Sequence, residues 1–444
     1  MGFLRKPVVP TPVPQLLEQV SGERLEKVLR IAFEQHNPKY YHWDRLRYLK
    51  PPADLSHGEW WLATKLARSA QLKSIPLRDR SGNPFYFSTP DAAQELLHKI
   101  DQQAGGAISI SEEVTNPSTR DRYIVSSLIE EAITSSQLEG AATTRRVAKE
   151  MLRSGRRPRN RDEQMILNNF MAMRRIGEIR GAELTPDIVF EIHRLVTHDT
   201  LDKPDAAGRL QHPDEPRVRV WDDEKVLHVP PPAVELPARL DAMCDFANGI
   251  TVDGFVHPVV RAIILHFWGA YDHPFEDGNG RTARALFYWS MLSQRYWLAE
   301  FLSISRILRR APAQYARSFL YTETDDNDLT YFLLYQLGVL CRSIDDLREY
   351  LALKMAEVRD AERLIKASAA LNHRQLAILS RAARVADTRF TIASHQLSHK
   401  VSYETARSDL LGLERKGLLT KRRKGRAYYF APHPDLPSRL RGLE

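Results

Sequence analysis

The chain has 444 residues, 43% hydrophobic and 27% charged, which is enough for two or three globular domains with at least one sizeable core. No apolar run approaches the length of a membrane-spanning helix, and residues 1–14 are proline-rich without the apolar centre of a signal peptide; a membrane partner is excluded and the cytoplasm is the expected location. The net charge of +8 fits an anionic partner and a solvated basic surface equally well.

Residues 1–14 read as an unstructured lead. Residues 15–104 carry helical patterns at 25–34 and 59–72, broken at Lys50-Pro51-Pro52, and a turn with short extended flanks around Gly82-Asn83-Pro84. No chemistry is assigned to this block; target docking and self-association are both open to it. From 120 to about 342 the pattern is almost wholly helical. Residues 121–139 place Ile124, Leu128, Ala132 and Ile133 on one face and end at Gly140, a natural residue just past a helix end. Glu139 opposes the helix dipole there, and from position alone it reads as a solvated side chain. Residues 153–161 form a basic loop, read as solvated.

Two alternating runs, 217–221 and 225–229, flank the acidic turn Asp222-Asp223-Glu224 and predict a β-hairpin stopped by Pro230-Pro231-Pro232. A single hairpin among helices is a flap on a helical body. Cys244 and Cys341 sit in apolar helical patterns and read as buried free thiols.

An apolar helix over 258–271 runs into Asp272-His273-Pro274, where proline stops it. A loop follows, and a second apolar helix resumes at Gly280. A glycine-containing loop feeding a helix N-terminus exposes backbone N–H groups at the positive end of the dipole, which suits an anion. Arg281 and Arg284 share a face of the first turns and favour an anion between them. Asp277 on the same loop suits a divalent cation bridging to phosphate. His273 is the candidate general base. A lone glycine loop or a lone histidine is usually structural; here a base, an aromatic anchor (Phe275), an acid, Gly278-Asn279-Gly280 and two arginines fall within twelve residues.

The segment His273-Pro274-Phe275-Glu276-Asp277-Gly278-Asn279-Gly280-Arg281-Thr282-Ala283-Arg284 resembles the full signature of the Fic (filamentation induced by cAMP) family, and the resemblance extends over about 120–345. It implies transfer of AMP from ATP, with Mg²⁺, to a Ser, Thr or Tyr hydroxyl of a target protein, or to the chain itself. By that resemblance His273 deprotonates the hydroxyl and Asp277 binds Mg²⁺. Gly278, Asn279 and Gly280 form the anion hole, Arg281 and Arg284 hold the outer phosphates, and Thr282 belongs to the nucleotide-binding set. His228 and Val229 border the nucleotide from a flap that registers the target, and Tyr315 lines the adenine pocket. Ser135-Ser136-Gln137-Leu138-Glu139-Gly140 matches the family's inhibitory pattern, so Ser135, Glu139 and Gly140 are expected to form a brake in which Glu139 pairs with Arg284 in the place of the γ-phosphate. Glu139 orienting a water for AMP removal is the alternative role.

Residues 346–370 read as a connecting helix and 371–444 as a separate domain. Helical patterns at 371–382, 391–400 and 403–416 precede two short strands around a Lys/Arg turn, which resembles a winged helix-turn-helix. Residues 401–444 hold ten Lys/Arg against five Asp/Glu. DNA contact through 391–430 and protein docking weigh evenly. The expected architecture is therefore mainly α: a helical Fic core with a β-hairpin flap and a small winged helix. Three functions follow: an AMP transferase restrained by Glu139; a DNA-binding regulator whose nucleotide site senses; or the same enzyme with another donor or acting to remove AMP. A homodimer is a further candidate partnership.

Overall fold

A computed structural model of the chain describes residues 5–34, 39–52, 54–105, 117–222, 225–250, 254–367, 371–384, 388–424 and 427–441. The described residues are mainly helical, with three two-stranded hairpins among them. It divides into two compact units: the first takes in the described residues of 1–108 and 123–344, the second those of 109–122 and 345–444. No helix among the described residues is long and apolar enough to cross a membrane.

The first unit is built around two helices, Pro258–Asp272 and Asn279–Ser293. Almost every side chain of both is buried, so their sequences read as apolar all round rather than as a stripe. Gly269 keeps the pair close: a Cβ there would meet the Ala283 Cβ at 3.4 Å. Helices Arg161–Glu178 and Pro186–Thr197 pack alongside. Both begin as capping chemistry dictates, with Asn160 and Thr185 accepting from the backbone N–H groups of Glu163 and Ile188.

The N-terminal block folds onto the same unit. The Ser56–Glu59 capping box starts the His57–Ser69 helix, and the Lys73–Arg78 and Pro84–Phe87 strands pair antiparallel. The acidic run Asp325-Asp326-Asn327-Asp328 receives this block. Lys65 lies 2.8 Å from Asp325, the Tyr40 hydroxyl donates to Asp328 at 2.6 Å, and Asn327 donates to Asp79 at 2.9 Å. A parallel bridge joins Tyr86 and Asp328. Asp325 and Asp328 are buried internal partners, while Asp326 stays exposed.

The flap strands are Val220–Asp222 and Lys225–His228, antiparallel with a register shift at Val220. The first is shorter than its alternating pattern, and the Arg217 side chain ahead of it bonds the carbonyls of Asp272, His273 and Pro231. The turn residues Asp223 and Glu224 lie outside the described residues. Cys244 and Cys341 are both buried and form no disulfide with one another.

Helix Thr330–Ala367 runs without interruption from one unit into the other; no glycine or proline breaks it beyond Gly338, so the separate connecting helix expected from charge alone is its second half. The second unit contains helices His373–Arg384, Ile392–His399 and Tyr403–Arg415, a hairpin of Leu419–Lys424 with Ala427–Pro432, and helix Leu436–Arg441. Its core gathers Leu379, Phe390, Leu410, Leu413, Leu418 and Phe430. Gly425 and Arg426, in the basic turn, lie outside the described residues.

Candidate active site

The loop 273–278 connects the two central helices. His273 ends the first helix in the left-handed region, at φ 46°, and Pro274 blocks any continuation. Phe275 is buried to 1%. Its ring stacks on His193, with centroids 3.8 Å apart and planes at 10°. The Asn279 side chain closes the loop on itself, accepting from the Phe275 N–H at 2.9 Å and donating to the Phe275 carbonyl at 2.8 Å. Asn279 thus shapes the loop with its side chain, leaving only its backbone for an anion.

Gly278 has φ 81°, and a Cβ there would stand 2.6 Å from Thr197 Cγ2. Gly278→Ala is therefore expected to lower stability by at least about 1–2 kcal/mol from the left-handed backbone alone, read as a shift of the urea midpoint of the full chain. A midpoint equal to wild type would show that the loop tolerates a side chain. Thr282 is buried, its backbone N–H bonded to the Gly278 carbonyl at 2.9 Å, while its hydroxyl is without a protein partner.

Asp277 accepts from the Gly278 N–H at 2.6 Å through one oxygen and lies 3.3 Å from Arg281 through the other. Its side chain is 45% exposed. Arg281 is fully buried, donates to the Val196 carbonyl at 2.7 Å and leaves its Nε unpartnered. Burial pushes its pKa down, against the pull of Asp277. Arg284 donates to the Ser135 hydroxyl (2.8 Å), the Ser135 carbonyl (3.1 Å) and Glu139 (2.9 Å). Burial works against its charge, but Glu139, Tyr315 and Glu131 together outweigh it, so the net shift is upward.

Glu139 lies just past the Pro117–Leu138 helix, followed by Gly140 at φ 95°. Its carboxylate rests directly on Gly280, where a Cβ would run into it. The same carboxylate acts electrostatically on His273, Arg281, Arg284 and Tyr315, so it sits among them. The helix carrying it is pinned from behind by Glu131, fully buried, which accepts from the Ser303 hydroxyl at 2.9 Å, the Ser305 N–H at 3.1 Å and the Ser305 hydroxyl at 2.5 Å. Glu131→Ala is expected to destabilise by about 1–3 kcal/mol, because these buried donors lose their acceptor. Thermal unfolding of the variant measures it, and an unchanged Tm would refute the clamp.

His273 is part-exposed. Its Nδ1 lies 3.3 Å from the Ala270 carbonyl, which can only accept, so Nδ1 carries the proton and Nε2 keeps a lone pair. Burial holds its pKa down at about 4, despite the Ala270 contact raising it. Sequence reasoning missed four residues that fix this geometry. Arg217 donates to the carbonyls of Asp272 (2.7 Å), His273 (3.1 Å) and Pro231 (2.7 Å), tying the flap to the helix end. Arg239 and Trp268 hold the Asp272 carboxylate. His193 accepts from Gly208 N–H at Nδ1 and donates to the Asp277 carbonyl at 2.9 Å from Nε2. The signal for His193 in the sequence was only a histidine on an apolar helix face, which marks core as often as site.

His228 meets the Tyr271 carbonyl at 2.8 Å and Glu323 at 2.9 Å. Both its ring nitrogens thus anchor the flap two residues before His273, and Val229 follows at its edge, half-buried. Tyr315 bonds His266 at 2.9 Å and is part-exposed; burial raises its hydroxyl's pKa despite Arg284 nearby.

Residues 183–291 match the Fic/DOC family. Within the longer span that aligns, the chain is 29% identical over 199 residues to a protein adenylyltransferase Fic from Nematostella vectensis, covering 44% of this chain and 43% of that relative. The chain thus spans less than half the length of that curated relative. The crystal structure of a Fic family protein from Desulfovibrio desulfuricans G20 shares the fold, at a TM-score of 0.51 and 19% identity over 78% of this chain and 97% of that one. Fic-1 from C. elegans superposes with a TM-score of 0.44 at 20% identity, over 58% of this chain and 71% of that one.

Proposed function

We propose that this chain transfers AMP from ATP to a Ser, Thr or Tyr hydroxyl of a target protein, or of itself, and is restrained by Glu139. The observation that carries this reading is the Glu139 carboxylate seated on Gly280 and paired with Arg284: an anion site closed from within by the chain's own anion. Likeness to the adenylyltransferase of Nematostella vectensis supports the same donor.

In the proposed reaction the hydroxyl oxygen attacks the α-phosphorus and its proton passes to Nε2 of His273. The bond from the α-phosphorus to the bridging oxygen breaks, the electron pair stays on that oxygen, and pyrophosphate leaves. The backbone at Gly278, Asn279 and Gly280 stabilises the charge building on the phosphoryl oxygens. Thr282, with its unpartnered buried hydroxyl, His228, Val229 and Tyr315 complete the nucleotide's surroundings. Mg²⁺ fits Asp277 only as a shared ligand. No group of three or more His, Cys, Asp or Glu gathers among the described residues, and the half-exposed carboxylate suits a cation held jointly with phosphates. Such a cation would neutralise phosphate charge. A free Nε2 lone pair on a neutral ring favours transfer over nucleotide sensing, since a sensor has no use for a base.

The test uses Glu139→Gly protein with ATP labelled at the α- or the γ-position. Label retained on protein from α alone supports AMP transfer; retention from γ indicates phosphorylation and overturns it.

For residues 371–441 we propose a winged helix that contacts DNA through 391–430. Lys421, Arg422 and Arg423 stand exposed on one strand, with Lys421 and Arg423 over the ring of the half-exposed Tyr428. Replacing the three by alanine in the full chain is expected to cut the salt dependence of a gel shift by a slope of up to about 3. A shift that never appears at low salt leaves protein docking as this unit's role.

A further inference from the structure

The two motif arginines are heavily committed. Arg281 is fully buried, with one nitrogen on the Val196 carbonyl and another near Asp277. Arg284 makes two bonds to Ser135 besides the one to Glu139. Between the end of the inhibitory segment and the Asp277 loop stands a third guanidinium outside the motif.

Arg161 opens the Arg161–Glu178 helix. The next residue, Asp162, accepts from the Ala142 N–H at 2.8 Å, two positions beyond Gly140. Arg161 itself reaches the other way, 3.9 Å from Asp277 and 3.4 Å from Asp202. This helix start therefore ties to Ala142, three residues past Glu139, and lies beside Asp277. Its backbone is held by the Asn160 cap, which accepts from the Glu163 N–H at 2.9 Å, and by the Glu163 carboxylate, which accepts from Arg156 at 2.7 Å and from the Arg159 N–H at 2.8 Å. The basic loop that sequence alone reads as solvated is thus fastened down. The Arg161 side chain is 53% exposed and lines an open hollow of about 350 Å³ with Arg159, Gln164, Thr200 and Asp202.

We propose that Arg161 binds the outer phosphates of the nucleotide and the pyrophosphate that leaves, with this hollow as the exit. The inference rests on the AMP-transfer reading. When the α-phosphorus bond breaks, the departing oxygen carries the electron pair, and a forked guanidinium is the side chain suited to receive it. Its present ion pairs are long and half-exposed and add little to stability, so the guanidinium is available to a phosphate without loss to the fold. Asp277, once shared with a cation, no longer holds it.

Pyrophosphate and AMP are titrated by calorimetry, in Mg²⁺, into full-length Glu139→Gly protein and into the same protein carrying Arg161→Ala or Arg161→Lys. The expected result is about a tenfold loss of pyrophosphate affinity in the alanine variant, consistent with one charged hydrogen-bonded contact, partial recovery in the lysine variant and unchanged AMP affinity. Equal pyrophosphate affinity with and without Arg161 overturns the proposal. So does an equal loss for AMP and pyrophosphate, which marks general damage to the cradle. The α-label assay on Glu139→Gly protein reports on AMP transfer separately, so the two failures are told apart.

Discussion

Glu139→Gly is expected to raise transfer of α-label from ATP onto protein about 5- to 150-fold over wild type, the range of a coupling free energy of 1–3 kcal/mol. The mutation removes two obstacles at once. The carboxylate no longer rests on Gly280, where a phosphate oxygen would meet the helix N-terminus, and Arg284 loses the partner that saturates it at 2.9 Å. The backbone change is mild, because the helix ends at Leu138 and Glu139 lies outside it. Stability moves the other way. Removing one member of a buried pair typically costs about 3–5 kcal/mol, but Glu139 is 28% exposed and Arg284 keeps Ser135, so the loss here is smaller. Since the freed site is an anion site, ATP should raise the Tm of the variant more than that of wild type. Glu139→Gln keeps the bulk and loses the charge, and belongs between the two. If Glu139→Gly shows no gain in label, the contact with Gly280 and Arg284 is structural and the brake does not exist.

What was legible in the sequence was the local geometry of short segments. The twelve residues from His273 to Arg284, the glycine at 140 and the breaks at Pro230 and Pro274 carry their meaning locally, because turns, caps and positive φ angles are set within a few residues. The helical class followed from periodicity in the same way. What could not be read depends on distant partners. Nothing near Asp325 or Asp328 announces that Lys65 and Tyr40 are waiting 260 and 288 residues upstream. Arg217 looked like one more strand residue until its guanidinium was seen on the carbonyls of Asp272 and His273. Glu131, a helical glutamate like its neighbour Glu130, is distinguished only by Ser303 and Ser305 arriving from elsewhere. Long-range polar contacts of this kind leave no periodic trace.

His273→Ala in the Glu139→Gly background is expected to lower transfer about 10²- to 10⁴-fold, the usual contribution of a positioned general base. The position itself complicates the test, since φ 46° is unfavourable for alanine. His273→Asn is the companion variant: asparagine tolerates the left-handed region but accepts no proton near neutral pH, and it should be equally inactive while folding as the parent does. The pH profile gives an independent reading. Burial depresses the His273 pKa to about 4, so the ring stays unprotonated, and competent as a base, at every pH above that value. Glu139 pulls the value upward, and its removal lowers it further. If Glu139→Gly protein carries the proposed transfer, its kcat/KM should therefore stay flat from pH 8 down to about pH 5 and fall only near or below pH 4, rather than at the ordinary histidine value near 6.5. An acid limb centred near 6.5 that disappears in neither variant would place the titrating group elsewhere and remove His273 from the reaction.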